Sequence, residues 1–478
     1  MPDRMLQFVH LKQQTPEKRD VPARRADFAE IYRRFDQPAA AAQASRCSQC
    51  GVPFCSVHCP LSNNIPDWLK LTAEGRLEEA YEVASATNNF PEICGRICPQ
   101  DRLCEGICVI EKGFESVTIG AVERYITDTA FKEGWVKPIM PRRNLPQSVG
   151  IIGAGPGGLA AAEQLRGLGY RVSVYDRHDR VGGLLIYGIP GFKLEKEIVL
   201  RRWKLLEEAG ITFHLNVMVG KDISLPELRA RHDALLIATG VYKPRDIGGP
   251  GAGLAGIVPA LDYLTASNRK GLGDAVPEFD AGMLDAAGKR VVVVGGGDTA
   301  MDCVRTAVRQ GATSVKCLYR RDRVNMPGSM REVTNAEEEG VEFVWLSAPE
   351  AFLGDRQVAA VRAVRMHLGL PDASGRQSVE PIGGSHFTVE ADLVIKALGF
   401  DPEDLPRMWG QKGLEVSRWG TLKVNHRSFM TSLPGVFAAG DIVRGASLVV
   451  WAIRDGRDAA AQIHAHIQQN AALAVAAE

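Results

Sequence analysis

The 478-residue sequence predicts an α/β protein in which two doubly wound domains follow a small helical domain rich in cysteine. Three observations carry this prediction. Eight of the ten cysteines lie between Cys47 and Cys108, in a region with apolar residues at helical spacing. Two glycine-rich strand-turn-helix signatures follow, one from Ser148 and one from Lys289. Apolar runs typical of buried strands alternate with helical runs around both signatures, which indicates parallel sheets.

The charge and hydropathy of the chain limit its surroundings. Lysine plus arginine equals aspartate plus glutamate, 57 against 57, so no net field favours nucleic acid or an anionic membrane. No apolar stretch reaches the roughly twenty residues that a membrane span needs. The first residues lack the apolar core of a signal peptide. We therefore expect a cytoplasmic protein with no nucleic-acid or membrane partner.

Candidate domain boundaries follow from composition. The proline-rich run 135–147 (WVKPIMPRRNLPQ) is typical of an extended linker after the helical domain. Apolar strands that end in glycine at 234–240 (ALLIATG) and 391–399 (ADLVIKALG) mark places where the chain could cross between domains. The second doubly wound domain would then be inserted into the first. The expected units are a helical domain at 1–145, a first doubly wound domain at 146–255 and 395–478, and a second at 256–394.

The clustered cysteines form two groups whose short loops could wrap thiolates around a metal centre. Disulfides fit poorly, because a chain of this length buries a large core without covalent staples. Spacing alone leaves zinc and iron–sulfur clusters open, since paired cysteines are also a structural zinc signature and His58 could join them. Cysteine–proline steps at Cys59 and Cys98 are typical of bacterial ferredoxins and favour iron–sulfur clusters. The groups are Cys47, Cys50, Cys55 and Cys59, and then Cys94, Cys98, Cys104 and Cys108.

The first glycine-rich signature, residues 148–176, indicates a dinucleotide site. A pyrophosphate must approach the backbone at the start of a helix, where free amide groups and the helix dipole favour negative charge. Side chains in the turn would block that approach. Asp176 ends the second strand, where a carboxylate accepts hydrogen bonds from ribose hydroxyls. The glycines expected at this site are Gly153, Gly155 and Gly158.

The second signature, residues 289–323, has different chemistry at the end of its strand. Arg320 and Arg321 stand where the first unit has a carboxylate. Guanidinium groups suit the 2′-phosphate of NADP through paired hydrogen bonds, whereas a carboxylate suits a free 2′-hydroxyl. We therefore expect NADPH here, and a solvated strand end is the alternative interpretation. The other residues expected at this site are Gly295, Gly297 and Asp298.

Both signatures, together with the later run 431–441 (TSLPGVFAAGD), resemble the flavoprotein disulfide reductases and their relatives, which have two dinucleotide-binding domains. The resemblance implies that the first unit binds FAD and the inserted second unit binds the nicotinamide cofactor. It also implies that Gly440 and Asp441 contact the flavin. Gly183 is expected to lie along the flavin, because glycine permits close approach of the backbone.

One feature of the disulfide reductases is missing, namely the redox-active cysteine pair beside the flavin. Cys303 and Cys317 are the only cysteines after Cys108, and their positions on a helix and a strand indicate buried core thiols. The electrons need another outlet. FAD accepts a hydride and can release electrons singly, which iron–sulfur clusters require. The N-terminal cysteine groups are therefore the expected outlet.

Taken in order, CSQCGVPFCSVHCP, CGRICPQDRLCEGIC, IGAVERY, the FAD unit and GGLLIYGIPGFKL resemble the small (beta) subunits of bacterial NADPH-dependent glutamate synthase. They also resemble the amino-terminal half of dihydropyrimidine dehydrogenase. The resemblance spans nearly the whole chain and implies two 4Fe-4S clusters that exchange ligands between the two groups. The implied ligands are Cys47, Cys50, Cys55 and Cys108 for one cluster, and Cys59, Cys98 and Cys104 for the other.

The eighth ligand has two candidates. Spacing alone favours Cys94, four residues before Cys98. The resemblance favours Glu123, because dihydropyrimidine dehydrogenase places a glutamine ligand at the matching point of its Ile-Gly-x-x-Gln run. We expect Glu123, since a carboxylate is a feasible ligand and Cys94 could simply pack.

The resemblance also implies a function. Hydride would pass from NADPH to FAD, and single electrons would pass through the clusters to a large (alpha) subunit that carries FMN and a further cluster. That subunit would make L-glutamate from L-glutamine and 2-oxoglutarate, in a hetero-oligomer. We expect no catalytic acid or base in this chain, since hydride transfer depends on positioning. The alternatives are the large subunit of a ferredoxin-linked NADP transhydrogenase and a zinc-containing dinucleotide-binding redox sensor.

Overall fold

The computed structural model describes residues 5–373 and 377–477. Its N-terminal part is helical, as expected from the apolar spacing. Trp68 and Leu69 from one helix meet Ala80 and Ala84 from the next, and Cys47 joins the same core. The helices are α1 (Val21–Ala26), α2 (Gln37–Ala44), α3 (Phe54–His58), α4 (Ile65–Ala73), α5 (Leu77–Thr87), α6 (Pro91–Ile97), α7 (Glu111–Phe114) and α8 (Ile119–Lys132), with 3-10 turns at Gln7–Val9 and Gln100–Arg102.

The first sheet is five-stranded and parallel. Its strand order is β15-β4-β1-β2-β3, so the last strand of the chain completes a sheet that begins 288 positions earlier. The long C-terminal helix packs along the helix that follows β1. The elements are β1 (Ser148–Ile152), α9 (Pro156–Gly167), β2 (Arg171–Tyr175), α10 (Leu184–Tyr187), α11 (Lys196–Glu208), β3 (Thr212–His214), α12 (Leu225–Arg231) and β4 (Ala234–Ile237). A short strand, β5 (Lys243–Pro244), follows them.

The second sheet is also parallel, with the order β6-β13-β7-β8-β9. Its middle strand contains four consecutive valines, 291–294, that are all buried, as expected for a sheet covered by helices on both sides. The elements are β6 (Ile257–Pro259), α13 (Ala260–Gly271), α14 (Pro277–Asp280), β7 (Arg290–Val294), α15 (Asp298–Arg309), β8 (Ser314–Leu318), α16 (Met330–Glu338) and β9 (Glu342–Val344). The last strand of this sheet, β13, comes after the additional strands described next.

An antiparallel three-stranded sheet is inserted before β13, and the sequence analysis did not predict it. Its middle strand has single exposed residues interspersed among buried ones over residues 358–367, as expected for a sheet with one solvated face. Its strands are β10 (Ser347–Gly354), β11 (Val358–Pro371) and β12 (Gln377–Glu390), followed by β13 (Leu393–Lys396).

The chain then returns to the first sheet. β14 pairs antiparallel with β5, so the outgoing and returning crossings lie side by side. Two parallel doubly wound sheets after a helical domain confirm the predicted fold class. No helix among the described residues is both long enough and apolar enough to cross a membrane. The closing elements are β14 (Phe400–Asp401), α17 (Leu405–Met408), β15 (Val436–Ala438), α18 (Asp441–Arg444) and α19 (Val449–Ala477).

The helical domain and the first sheet share one apolar core. Phe90, Ile93 and Cys94 of the helical domain are buried in the same cluster as the residues of α9 and α19. Cys59 and Cys98 are partly buried and pack against this apolar core. Cys94 and Cys98 of the second cysteine group, together with Cys59 of the first, therefore lie against the first sheet domain.

Candidate cofactor sites

The three glycines of the first signature serve different purposes. Gly153 has φ +113°, and a Cβ there would lie 2.3 Å from the carbonyl oxygen of Ala238. A Cβ at Gly158 would lie 2.0 Å from the carbonyl oxygen of Gly153, so this glycine lets α9 pack on β1. Nothing lies within 4 Å of a Cβ built on Gly155, directly before α9. The open space at Gly155 is where a pyrophosphate could approach the helix.

Two adjoining cavities of about 50 and 110 Å³ lie over this turn. They share Gly153, Asp176, Thr239 and Tyr242. The residues that directly follow β1, β2 and β4, together with Gly440 and Asp441, thus surround one space, which we call the cradle. Gly183 flanks this cradle, since a Cβ there would lie 3.0 Å from the Cα of Gly155. Of the expected residues, the cavities are lined by Gly153, Gly155, Asp176, Gly440 and Asp441.

The polar groups of the cradle suit a nucleotide. The Asp176 carboxylate accepts hydrogen bonds from the backbone N–H of Ala154 at 2.7 Å and of His178 at 2.8 Å, which fixes its position. A carboxylate can accept about four hydrogen bonds, so capacity remains for a ribose hydroxyl. Among the described residues, the buried hydroxyl oxygen of Thr239 has no hydrogen-bond partner. An unpaired polar atom in a cradle that lacks a bulky side chain fits a bound FAD.

Sequence analysis missed Thr239 and Tyr242. Thr239 lies within the run ALLIATG and Tyr242 two residues after it, and that run was interpreted only as a crossing between domains. Burial raises the pKa of the Tyr242 phenol well above its usual range, so it is protonated at neutral pH. Their position directly after an apolar strand, at the edge where parallel strands end, is a signal that could have identified them.

The late Asp441 is held in place by a neighbouring serine. It is the first residue of α18, and its carboxylate accepts a hydrogen bond from the Ser447 hydroxyl at 2.7 Å. Burial raises the pKa of this carboxyl. The following helix, α19, begins at Val449, and Leu448 and Val449 line the same cavity. The start of α19 therefore faces the cradle.

The second signature repeats this turn. Gly295 has φ +148°, and a Cβ there would lie 2.2 Å from the carbonyl oxygen of Ala397. Nothing lies within 4 Å of a Cβ built on Gly297, just before α15. Asp298 is the first residue of α15, and its carboxylate accepts a hydrogen bond from the backbone N–H of Ser329 at 3.0 Å. The open position at Gly297 fits a dinucleotide at the start of α15.

The two arginines after β8 differ in their surroundings. Arg320 is exposed. Arg321 is half-buried, and its guanidinium donates a hydrogen bond to the carbonyl oxygen of Gln377 on β12 at 3.2 Å. The antiparallel sheet thus holds Arg321 beside the strand end. Arg320 is the freer of the two to meet a phosphate.

The four cysteines expected to hold the first cluster, which we call the first set, come together from distant parts of the helical domain. Cys47 is buried, while Cys50, Cys55 and Cys108 are half-buried. Burial, with smaller contributions from the neighbouring Cys108 and Cys50, raises the pKa of Cys47 to about 11. Burial likewise raises the pKa of Cys55 to about 12, with Cys47 and Cys108 adding to the shift. The proximity of these four thiols fits a metal cluster, which would deprotonate them on binding.

The second set surrounds a small enclosed cavity of about 30 Å³. Burial raises the pKa of Cys59 to about 11 and that of Glu123 to about 8. The Glu123 carboxylate accepts hydrogen bonds from the side-chain amides of Asn63 and Asn88, both at 3.5 Å. The ligand candidates that line this cavity are Cys59, Cys94, Cys98, Cys104 and Glu123.

Both candidates for the eighth ligand therefore reach the same cavity. Cys94 donates a hydrogen bond to the side-chain oxygen of Asn88 at 3.8 Å, and it belongs to the apolar core shared with the first sheet. In the described part of the chain, no three His, Cys, Asp or Glu side chains form a group that could hold one metal ion. The donor set of thiols and a carboxyl group around an enclosed space fits a cluster.

Two known protein families match successive parts of this chain. Residues 24–135 match the family described as dihydropyrimidine dehydrogenase domain II, 4Fe-4S cluster. Residues 147–456 match pyridine nucleotide-disulphide oxidoreductase. The chain is 70% identical over 478 residues to the glutamate synthase (NADPH) small chain of Azospirillum brasilense, which covers 99% of each chain. This chain belongs to the family of glutamate synthase (NADPH) small chains.

Other relatives agree with this family. The glutamate synthase (NADPH) small chain of Escherichia coli K12 is 46% identical over 465 residues, which covers 96% of this chain and 98% of the relative. A solved structure, Mycobacterium tuberculosis FprA in complex with NADPH, has a TM-score of 0.59 at 22% identity and covers 69% of this chain and 86% of that one. That likeness concerns the fold. As a member of the glutamate synthase small-chain family, the protein is an NADPH-dependent oxidoreductase with a 4Fe-4S domain.

Proposed function

We propose that this chain is the NADPH-oxidising, electron-input subunit of glutamate synthase. The first doubly wound unit holds FAD and the inserted unit, residues 256–394, holds NADPH. The helical domain, residues 1–145, holds two 4Fe-4S clusters. When bound, FAD takes a hydride from NADPH as a two-electron unit, and the clusters pass electrons singly. The proposed location is the cytoplasm, where thiols stay reduced.

The single observation that carries this proposal is the position of α19. Val449 and Ala452 in its first turn line the FAD cradle, while Val450 lines the cavity of the second cysteine set. The same helical turn therefore borders both sites, and its side chains Val450 and Ala452 are buried. This arrangement supports electron transfer from FAD to the cluster of the second set.

The proposed ligands divide the eight positions between two clusters. In each proposed set three of the four ligands are half-buried, so ligand exposure does not set the two clusters apart. The cavity of the second set is lined by Val450 of α19, beside Val449 and Ala452, which line the FAD cradle. Electrons would therefore reach the second cluster before the first. The proposed ligands are Cys47, Cys50, Cys55 and Cys108 for the first cluster, and Cys59, Cys98, Cys104 and Glu123 for the second.

Apolar side chains around the first cluster support a docking surface for the large subunit. Val52 and Val57 are each 63% exposed, and Val109 is 54% exposed. Phe54 and Phe114 are also exposed. Each lies within a few positions of a proposed ligand, and exposed apolar groups that cluster are typical of protein interfaces. The proposed partner is the large subunit, which carries FMN and a further cluster and makes L-glutamate from L-glutamine and 2-oxoglutarate.

The proposal is tested by reconstitution. The purified chain alone should contain about eight irons, little zinc and a yellow flavin. It should oxidise NADPH with ferricyanide as acceptor and form no glutamate. Addition of the large subunit should give NADPH-dependent glutamate formation. Glutamate made by the chain alone would contradict the proposal, and zinc in place of iron would favour the redox-sensor alternative.

A further inference from the structure

Ser329 makes two hydrogen bonds that join the nicotinamide unit to the cysteine domain. Its backbone N–H donates to the carboxylate of Asp298, the first residue of α15, at 3.0 Å. Its hydroxyl donates to the carboxylate of Asp101, with distances of 3.1 and 3.2 Å to the two oxygens. Ser329 is 3% exposed and belongs to the second sheet domain, whereas Asp101 lies between two of the proposed cluster ligands. Ser329 thus contacts both the start of α15 and the loop that carries two proposed cluster ligands.

The Ser329 hydroxyl does not cap the helix that follows it. Ser329 directly precedes α16, where a serine hydroxyl usually accepts a hydrogen bond from the first turn of the helix. No such bond is present at this residue. The hydroxyl points across the domain boundary to Asp101 instead. Local helix capping therefore does not explain a serine at this position.

Neighbouring residues extend this contact. We call residues 327–331 the seam segment. Within it, the N–H of Gly328 donates to the carbonyl oxygen of Gly296 at 3.0 Å. The Arg331 guanidinium donates to the side-chain oxygen of Gln100 at 2.5 Å and to the carbonyl oxygen of Cys98 at 3.4 Å. Arg102 donates to the carbonyl oxygen of Pro327. The seam segment is therefore hydrogen-bonded both to the glycine turn at residues 295–298 and to residues 98–102 of the cysteine domain.

On the nucleotide side, the loop 295–298 has little freedom to move alone. A Cβ at Gly296 would lie 2.3 Å from the ring of Tyr319, and a Cβ at Gly328 would lie 3.2 Å from the carbonyl oxygen of Gly296. The loop is therefore packed between Tyr319 and the seam segment. A pyrophosphate that binds at the start of α15 would press on this loop. Any resulting shift would be passed to the seam segment.

On the cluster side, Gln100 organises the loop 98–106. Its carbonyl oxygen accepts hydrogen bonds from the N–H groups of Leu103, Glu105 and Gly106, at 2.9 to 3.1 Å. Its side-chain amide donates to the carbonyl oxygens of Cys94 and Gly95 at 3.3 and 3.2 Å. The residue that Arg331 contacts is thus the one that shapes the loop between the proposed ligands.

We propose that Ser329 is a positioning residue that couples nucleotide occupancy at residues 295–298 to the order of the cluster loop, residues 98–106. The inference rests on the proposed function, because it requires a nucleotide at the first loop and a cluster at the second. NADP⁺ bound at α15 stabilises the seam segment, and the Ser329–Asp101 bond carries that stabilisation to the cluster loop. By linkage, a change at the cluster loop alters NADP⁺ affinity by the same factor.

Hydrogen exchange of the holoprotein, with and without NADP⁺, tests this coupling. In the wild type, NADP⁺ should slow exchange in peptides covering 295–300 and also in peptides covering 98–106. In Ser329→Ala, slowing at 295–300 should persist while slowing at 98–106 falls by about fivefold, the order of magnitude that one net hydrogen bond contributes. Ser329→Thr keeps a hydroxyl and should restore it. Ser314→Ala, at an exposed serine of the same domain, is the matched control.

A second variant and a second readout keep the test decisive. Asp101→Ala removes the same hydrogen bond by changing its acceptor, which is exposed. This variant replaces Ser329→Ala in the test if Ser329→Ala does not fold. The spin-resonance signal of the reduced clusters should change on addition of NADP⁺ in the wild type and in Ser329→Thr, but not in Asp101→Ala.

Two results would overturn the coupling. One is a wild type in which NADP⁺ slows exchange at 295–300 and leaves 98–106 unchanged. The other is full slowing at 98–106 in both Ser329→Ala and Asp101→Ala. Absence of iron, or absence of any NADP⁺ effect at 295–300, would instead count against the proposed function itself.

Discussion

Arg202 and Glu92 form a two-point ion pair that is buried between the first sheet domain and the cysteine domain. The distances are 2.8 Å from Nε to Oε1 and 3.0 Å from Nη2 to Oε2. The Glu92 side chain is fully buried, and that of Arg202 is 6% exposed. Glu92 lies on α6, two residues before Cys94. The pair fixes the helix of the second cysteine set against α11.

Removal of one partner should therefore destabilise the protein. Glu92→Gln removes the two-point counter-charge of the buried Arg202 guanidinium and leaves only the Glu163 carboxylate, 3.7 Å away. We expect the free energy of unfolding to fall by about 3 kcal/mol. Urea unfolding followed by tryptophan fluorescence measures this change. Glu208→Gln on the same helix α11 is the control, because its contact with Lys204 is exposed and 4.0 Å long. Equal stability of the two variants would contradict the prediction.

Replacement of Arg320 should change cofactor preference. Arg320→Ala removes a guanidinium that is free to meet the 2′-phosphate, and we expect KM for NADPH to rise by about 10- to 100-fold. Activity with NADH, which lacks the phosphate, should stay unchanged. Steady-state kinetics with ferricyanide measure both. Arg356→Ala, at an exposed position in the antiparallel hairpin, controls for loss of positive charge. A parallel loss of activity with both cofactors would refute the assignment.

The eighth cluster ligand can be identified by iron content. Glu123→Ala should reduce iron from about eight to about four per chain, because the second cluster loses a ligand. Glu123→Gln keeps an oxygen donor at the same point and should retain more iron than the alanine variant. Cys94→Ser should leave the content unchanged. The opposite result, with iron lost in Cys94→Ser and kept in Glu123→Ala, would assign the ligand to Cys94.

Lys196 should make stability depend on pH. Its ammonium group donates to the carbonyl oxygens of Leu185 and Ile189, and burial lowers its pKa to about 7 from an ordinary value of 10.5. Between those values the unfolded chain binds one proton more than the folded chain. The Lys196 contribution to stability therefore rises with pH across this window, by at most about 1.4 kcal/mol per pH unit.

Lys196→Met removes this contribution. The difference in unfolding free energy between the wild type and Lys196→Met should grow in favour of the wild type as pH rises from about 7 to 10. Urea unfolding at several pH values measures it. Lys204→Met, at an exposed lysine of α11, should show a constant difference. A constant difference for Lys196→Met as well would show that this lysine stays charged in the folded protein.

Sequence patterns were sufficient for the two parallel sheets and their glycine turns. The glycine spacing and the residues at the strand ends are local features, so the positions of Gly153, Gly295 and Asp176 beside their strands follow from the sequence. The antiparallel sheet β10–β12 was missed. The order of buried and exposed residues along β11 is irregular, and the strand lies inside a region that was interpreted only as part of the second doubly wound domain.

The cradle proposed to hold FAD was predicted only in part. Asp176 and Asp441 were recognised from their motifs, and both line the observed cavities. Thr239 and Tyr242 were not recognised, because neither belongs to a motif and their role depends on what stands opposite them in the fold.

The sequence by itself determined the class of the protein, because cysteine spacing and two glycine signatures are properties of short segments. Only the tertiary structure decided which of these segments meet. Ser329 and Asp101 are 228 positions apart, and Arg202 and Glu92 are 110 apart. Contacts over such distances depend on how whole domains pack, and no local pattern in the chain specifies that packing.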